Sequence, residues 1–87
     1  MVNFKKNNTQ SMSEMDWLEE FGCNLSSMLK EANMSQKELA FETGLSEASI
    51  SGYVNGRKLP GPRALVNISH TLDCSLDELM DFGETIR

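Results

Sequence analysis

Apolar residues recur along this chain at spacings of three and four, the period of a helix with one buried face. The longest such stripe predicts a first helix from about Glu14 or Asp16 to Asn33. The residues of this stripe are Leu18, Phe21, Leu25, Met28, Leu29 and Ala32. Trp17 lies just off the stripe, where it either covers the edge of the core, which we favour, or contributes to a dimer contact. No segment alternates apolar and polar residues as a strand does, so the pattern predicts an all-α fold.

The segment after the first helix carries the signals of a short helix followed by a tight turn. Ser35 and Glu38 have the S-x-x-E spacing of a capping box, in which each side chain hydrogen-bonds the backbone amide of the other residue. The helix that they begin should run through Thr43. Gly44 should end it, because glycine readily adopts the left-handed conformation that follows many helix ends.

A third helix is predicted directly after this turn. It should begin after Ser46, whose hydroxyl can accept a hydrogen bond from an amide of the first turn. Asn55-Gly56 should end it, because this dipeptide favours turns. The face that we expect to be buried consists of Ile50, Tyr53 and Val54.

Two more helices are predicted in the last third of the chain. Pro62 suits the first position of a fourth helix, which should run to about Leu72. Ser75 and Glu78 repeat the capping-box spacing and should begin a fifth helix that ends near Phe82.

The composition along the chain predicts one domain with short flanking segments. Residues 1–13 are polar and rich in Asn, Ser and Lys, so we expect a flexible N-terminal tail. Residues 14–83 should form a single domain, and residues 84–87 a frayed C-terminus. A total of 87 residues is enough for one such domain.

Several residues of the central segment match a known family pattern position by position. They are Gln36 at the start of a helix, the small Ala40, the turn Gly44, Ile50, Asn55-Gly56-Arg57 and Pro60. In these residues the chain resembles the helix-turn-helix of the Cro and lambda-repressor type, also called the XRE family. The resemblance covers roughly residues 18–82. It implies an all-α, compact five-helix lambda-repressor-like domain in which helices 2 and 3 form the helix-turn-helix.

The resemblance also implies which residues face DNA. The second helix of the motif would lie in the major groove, with its first residues nearest the base edges. The base-facing residues would be Glu47, Ala48, Ser51 and Gly52. The phosphate-binding residues would be Gln36, Ser46, Ser49, Asn55, Arg57 and Lys58. For Gln36 and Ser46, the alternative is that they only cap their helices.

The base-facing set contains no Arg, Lys, Asn or Gln, the residues that form paired hydrogen bonds with purines. Glu47 can accept from a cytosine amino group, Ala48 can pack on a thymine methyl, and Ser51 can donate or accept. Gly52 offers no side chain, which leaves two interpretations. Either the helix approaches the groove closely and reads DNA shape, or it reads sequence poorly.

The net charge of −5 at first argues against DNA binding, because phosphate-binding proteins are usually basic. The acidic residues are unevenly distributed, however. Eight of the 13 lie at or before Glu47 and the other five at or after Asp73. The stretch between them contains three basic residues, Arg57, Lys58 and Arg63. We therefore expect a locally cationic surface on an acidic protein, which should lower non-specific affinity.

Other chemistry has little support in the sequence. Cys23 and Cys74 have no metal-ligand spacing, and we expect reduced thiols, with Cys74 packed in the core. His70 has no second ligand, and no group of residues resembles a catalytic site. We therefore expect no enzymatic activity, no cofactor and no metal. No apolar run approaches the roughly 18 residues of a membrane span, and we expect a cytoplasmic protein.

These observations predict a DNA-binding transcriptional regulator. The resemblance implies a repressor of the phage or mobile-element type that binds a palindromic operator as a homodimer. The alternative is a protein-interaction module on the same fold, such as an antitoxin or a partner of another regulator. The net charge, the weak base-reading set and Phe41 favour this alternative. Phe41 either lies exposed on the outer face of its helix, where it would mark a partner surface, or packs half-buried against the first helix.

Overall fold

The structure, a computed structural model, describes residues 14–80. They form five helices and, within this range, no strand, so the predicted all-α class is confirmed. The helices are α1 (Glu14–Ala32), α2 (Gln36–Thr43), α3 (Glu47–Val54), α4 (Pro62–Thr71) and α5 (Leu76–Leu79). The predicted N-terminal tail, the predicted end of the fifth helix at Phe82 and the last four residues lie outside the described range.

The predicted starts of α2 and α5 are confirmed by the hydrogen bonds of their caps. Ser35 Oγ accepts from the Glu38 amide at 3.0 Å, while Glu38 Oε1 accepts from the Ser35 amide at 2.8 Å. Ser75 and Glu78 form the same pair of bonds at the start of α5. Each box satisfies amides that lack a partner within the helix, so these starts are fixed locally.

The ends of α1 to α4 share a geometry in which one residue adopts positive φ. Gly44 and Gly56 do so at φ 76° and 72°, as their sequence context predicts. Asn33 and Asp73 do so at 55° and 54°, and their use as helix stops is not evident from the sequence. The amides of Asn33 and Met34 bond the carbonyls of Lys30 and Leu29, which is a Schellman motif. Because of it, α1 ends at Ala32, one residue before the predicted end.

Every helix contributes to one apolar core. Its buried residues are Phe21, Leu25 and Leu29 of α1, Leu39 and Ala40 of α2, Ile50 and Tyr53 of α3, Ile68 of α4 and Leu79 of α5. Trp17 is half-buried and packs against this cluster, in agreement with a position at the core edge. The core therefore holds α2 and α3 against the other three helices.

Helix α5 is also attached to α1 by a side chain that the sequence analysis did not single out. The Asn24 amide nitrogen donates to the carbonyl of Glu78, at 3.1 Å, and to that of Leu79. These two carbonyls belong to the last two residues of α5. A helix of four residues thus gains a hydrogen-bonding partner at its end.

The two cysteines are free and differ in environment. Cys23 is exposed, whereas Cys74 is partly buried and packs against the core. Burial raises the pKa of the Cys74 thiol, and the carboxylates of Glu78 and Asp73 raise it further. Its position agrees with the expected packing role.

The backbones of α1 and α3 approach closely at Gly22. A Cβ at this position would lie 2.5 Å from the Val54 carbonyl oxygen and 2.8 Å from that of Tyr53. Gly56 lies beside the same helix, where a Cβ would be 3.5 Å from Glu19 Cα. The carboxyl end of α3 therefore rests directly on the α1 backbone.

We expect Gly22→Ala to destabilise the domain by about 1–3 kcal/mol, as other overpacked sites do. The obstacle is a pair of backbone carbonyls, which cannot rotate away, so the higher helix propensity of alanine should not compensate. Urea unfolding followed by helical circular dichroism measures the change. Ser27→Ala, on the same helix but exposed, should stay within about 0.5 kcal/mol of the parent. A Gly22→Ala domain as stable as the parent would contradict the close approach.

Candidate nucleic-acid interface

Helices α2 and α3 are joined by a turn whose polar groups are satisfied locally. The Thr43 hydroxyl donates to the Leu39 carbonyl at 2.7 Å and accepts from the Leu45 amide at 3.3 Å. The Gly44 amide bonds the Ala40 carbonyl at 3.0 Å. The small Ala40, one of the residues that match the family pattern, is buried. The orientation of α3 relative to α2 is therefore defined by packing and by hydrogen bonds.

The two faces of α3 differ as the sequence predicts, except at one position. Ile50 and Tyr53 are buried in the core, and Glu47 and Ala48 are exposed in the first turn. Ser46 caps the helix by accepting from the Ser49 amide at 3.0 Å. The first turn of α3 thus presents a carboxylate and a methyl group to solvent.

Gly52 is the exception, because it is buried. The side chain of Lys58 covers it: a Cβ at Gly52 would lie 3.0 Å from Cε, 3.3 Å from Cγ and 3.5 Å from Cδ of Lys58. Gly52, which the family resemblance places among the base-facing residues, is thus covered by a side chain from the loop after α3. Lys58 fills the space that the missing side chain leaves.

The ammonium group of Lys58 lies beside the first half of α3. Its Nζ is 3.4 Å from Ser49 Oγ and 5.7 Å from the centre of the Tyr53 ring. The second contact is a weak cation–π interaction. Both neighbours are neutral, so they hold the ammonium without neutralising it.

The other residues expected at DNA fall into two groups. The Asn55 amide donates to Ser51 Oγ at 3.0 Å, and the Ser46 hydroxyl donates to Ser49 Oγ, also at 3.0 Å. These side chains thus bond to one another within the motif. Gln36, at the first position of α2, and Arg57, after the end of α3, are exposed.

The basic residues in the loop after α3 and at the start of α4 are exposed to solvent, as a cationic surface requires. Arg57, Lys58 and Arg63 are all exposed in the acid-free stretch between Glu47 and Asp73. The described residues contain no cluster of His, Cys, Asp and Glu able to hold a metal ion. Within the same range, no helix is long and apolar enough to cross a membrane.

Two features of this surface are missed by sequence reasoning. Gly22 sets the distance between α1 and α3, and its only signal is a small residue next to Phe21 on the apolar stripe. The position of Lys58 over Gly52 has no sequence signal, because it depends on how the loop after α3 returns across the helix.

Two short helices pack together and are joined by a hydrogen-bonded turn, and the second helix exposes its first turn. This arrangement defines a helix-turn-helix protein. In a comparison with protein families, residues 25–79 match the Helix-turn-helix family. This match spans more than half of the chain. The chain therefore belongs to the helix-turn-helix family, and the resemblance to its XRE type is confirmed.

The chain is similar to a curated regulator and to a controller protein of known structure. The uncharacterized HTH-type transcriptional regulator YqaE of Bacillus subtilis (strain 168) is 33% identical over 60 residues, which are 69% of this chain and 52% of that protein. The chain thus spans about half the length of this curated relative. The crystal structure of the restriction-modification controller protein C.AhdI from Aeromonas hydrophila matches with a TM-score of 0.69 and 27% identity, covering 71% of this chain and 94% of that one.

We expect Gly52→Ala to stabilise the free domain by about 0.5–1 kcal/mol, the usual difference between alanine and glycine inside a helix. The nearest atoms to the added methyl group are Cε, Cγ and Cδ of the flexible Lys58 side chain, which can move aside. Thermal unfolding measures the change. Gly44→Ala is the matched control and should lose about 1 kcal/mol, because its φ of 76° disfavours a side chain even in open space. A loss for Gly52→Ala would show that the Lys58 side chain cannot yield.

Proposed function

We propose that this protein binds duplex DNA through α3 and regulates transcription as a homodimer on a palindromic operator. The observation that carries the proposal is the exposed first turn of α3, presented by a rigid turn within a member of this family. The similar Bacillus subtilis protein is named a transcriptional regulator, and the Aeromonas hydrophila protein a controller of restriction-modification. Both names support a regulatory role, and we place the protein in the cytoplasm.

In this proposal the first turn of α3 lies nearest the base edges. Glu47 accepts a hydrogen bond from a cytosine amino group, and Ala48 packs on a thymine methyl. Ser51, at the next turn, donates or accepts once its bond with Asn55 opens. Contacts of these kinds read sequence, but none is the paired purine contact of a long polar side chain.

Phosphate groups are bound on either side of α3. Gln36, at the positive end of α2, and Arg57, after α3, are exposed and able to donate to phosphate oxygens. Ser46 would have to exchange its bond to Ser49 for one to phosphate, whereas Asn55 and Ser49 can donate to phosphate beside their bonds within the motif. Such contacts fix the register of the protein on DNA without reading sequence.

A dimer would place two copies of α3 in successive major grooves on one side of the duplex. The half-sites of the operator should then be about 34 Å apart, one turn of DNA. The protein would repress by occupying a promoter. Its net charge of −5 lowers the affinity for non-specific DNA, so binding to the operator must be favoured by specific contacts.

Selection from a library of random duplexes tests this proposal. We expect the folded protein to select a palindrome with half-site centres about one helical turn apart. A cross-linked or sedimentation-defined complex should contain two protein chains per selected duplex. Failure to enrich any sequence at low salt, with the protein folded, would contradict the proposal.

A second candidate function rests on Phe41. This aromatic side chain is 84% exposed on α2, so the half-buried alternative is wrong. The surface hollow beside it is lined by partly buried Met34 and by three charged residues, Lys37, Glu38 and Glu42. An exposed aromatic residue of this kind suits a protein partner, as in an antitoxin or a partner of another regulator.

The double variant Arg57→Ala, Lys58→Ala separates the two functions. For a DNA-binding regulator it should abolish operator binding, because two of the three basic residues of the acid-free segment are lost. A protein partner docked at Phe41 should remain bound to the double variant and be released by Phe41→Ala. The measurement is co-purification from the native host after nuclease treatment, alongside a gel shift. A stoichiometric partner retained by the Phe41→Ala protein would contradict docking at this residue.

A further inference from the structure

We propose that Lys58 is a base-reading residue, which supplies across the top of Gly52 the long polar side chain that α3 itself lacks. The chemical target is the edge of a guanine, whose O6 and N7 are adjacent acceptors in the major groove. This inference rests on the proposed function, because it assumes that α3 lies in that groove. It changes the expected role of Lys58 from binding phosphate to reading sequence.

The first support is the place of the Lys58 stem. Its carbons lie against Gly52, where a Cβ would be 3.0 Å from Cε, and Gly52 is buried as a result. Position 52 is one of the four positions of α3 that would face the bases. Lys58 therefore occupies the space that a side chain at position 52 would fill.

The second support is the backbone that brings Lys58 there. The Arg57 amide bonds the Gly52 carbonyl at 2.8 Å, and the Gly56 amide bonds that of Tyr53 at 3.2 Å. These two bonds end α3 and turn the chain back along it. Lys58, the next residue, can then reach Ser49, nine positions earlier.

The third support is the environment of the ammonium group. Nζ lies 3.4 Å from the Oγ of Ser49, a first-turn residue of α3 whose own expected partner is phosphate, and 5.7 Å from the Tyr53 ring centre. An ammonium has three donors and no acceptor. The Ser49 hydroxyl uses one of them, and two remain for a partner that offers adjacent acceptors.

The residues of α3 beside Lys58 cannot make the paired contact that the edge of a guanine accepts. Glu47 can only accept when ionised, Ala48 is apolar, and Ser51 has a single donor. None of the four α3 residues expected at the bases can donate to both O6 and N7, whereas the Lys58 ammonium can. Loss of such a contact lowers affinity by about 1–3 kcal/mol, or about 5- to 150-fold.

The test compares Lys58→Gln with Arg57→Gln, which removes the same charge from the adjacent residue. Each protein is put through the same selection from random duplexes, and its affinity is measured for the selected operator and for unrelated DNA over a range of salt concentrations. Arg57→Gln should keep the consensus, weaken binding to all duplexes alike and reduce the salt slope by about one. Lys58→Gln should instead lose a guanine from each half-site of the consensus.

The affinity of Lys58→Gln for the selected operator should fall about 5- to 150-fold relative to its affinity for unrelated DNA. A Lys58→Gln protein that keeps the full consensus and weakens like Arg57→Gln would overturn the inference while leaving the proposed function intact. If the parent protein itself selects no sequence, the proposed function fails and this inference fails with it.

Gly52→Ala provides an independent test, because this substitution changes no charge. The added methyl group pushes the Lys58 stem away from α3. We expect a weaker preference at the same guanine that Lys58→Gln loses, with the salt slope unchanged. An undiminished preference at that base pair, in a folded Gly52→Ala protein, would overturn the role of the stem over Gly52.

Discussion

Helix α1 and the carboxyl end of α3 can approach one another only because Gly22 has no side chain. The carbonyls of Tyr53 and Val54 lie where its Cβ would be. This contact, with Gly56 beside the same stretch of α1, fixes the end of α3 and hence the loop that follows it. The buried face of α3 and the turn after α2 fix its other end. The exposed face is thus defined by backbone packing, which leaves its side chains free to vary.

Most of the fold follows from local sequence signals because each helix carries its own start. Ser35, Ser46 and Ser75 cap through bonds to amides only three residues away, so a short segment contains all the necessary partners. The stops are less evident. Asn33 and Asp73 end their helices with the same positive φ as a glycine, and this preference is too weak to be read without the structure. The resemblance to the family placed the five helices in order and located the surface of α3.

The details of the candidate interface depend on contacts between distant residues, and these were not predictable. Asn24 bonds α5 across more than fifty residues, and the need for glycine at position 22 arises only when α3 is in place. The sequence shows that Gly52 offers no side chain, but not that Lys58 covers it. Lys58 is a residue that the family resemblance assigns to the phosphate backbone. Helical periodicity cannot predict where a side chain from a loop will pack on a helix.

The position of the Lys58 stem over Gly52 also bears on conformational entropy. A lysine side chain that is free in solution loses up to about 1.5–2 kcal/mol of rotamer freedom when it is fixed. Here the stem already lies against the helix, and the ammonium is already held by Ser49 and the Tyr53 ring. Part of that loss therefore occurs during folding. A ligand that meets this side chain encounters a preorganised group, and more of the contact energy remains for binding.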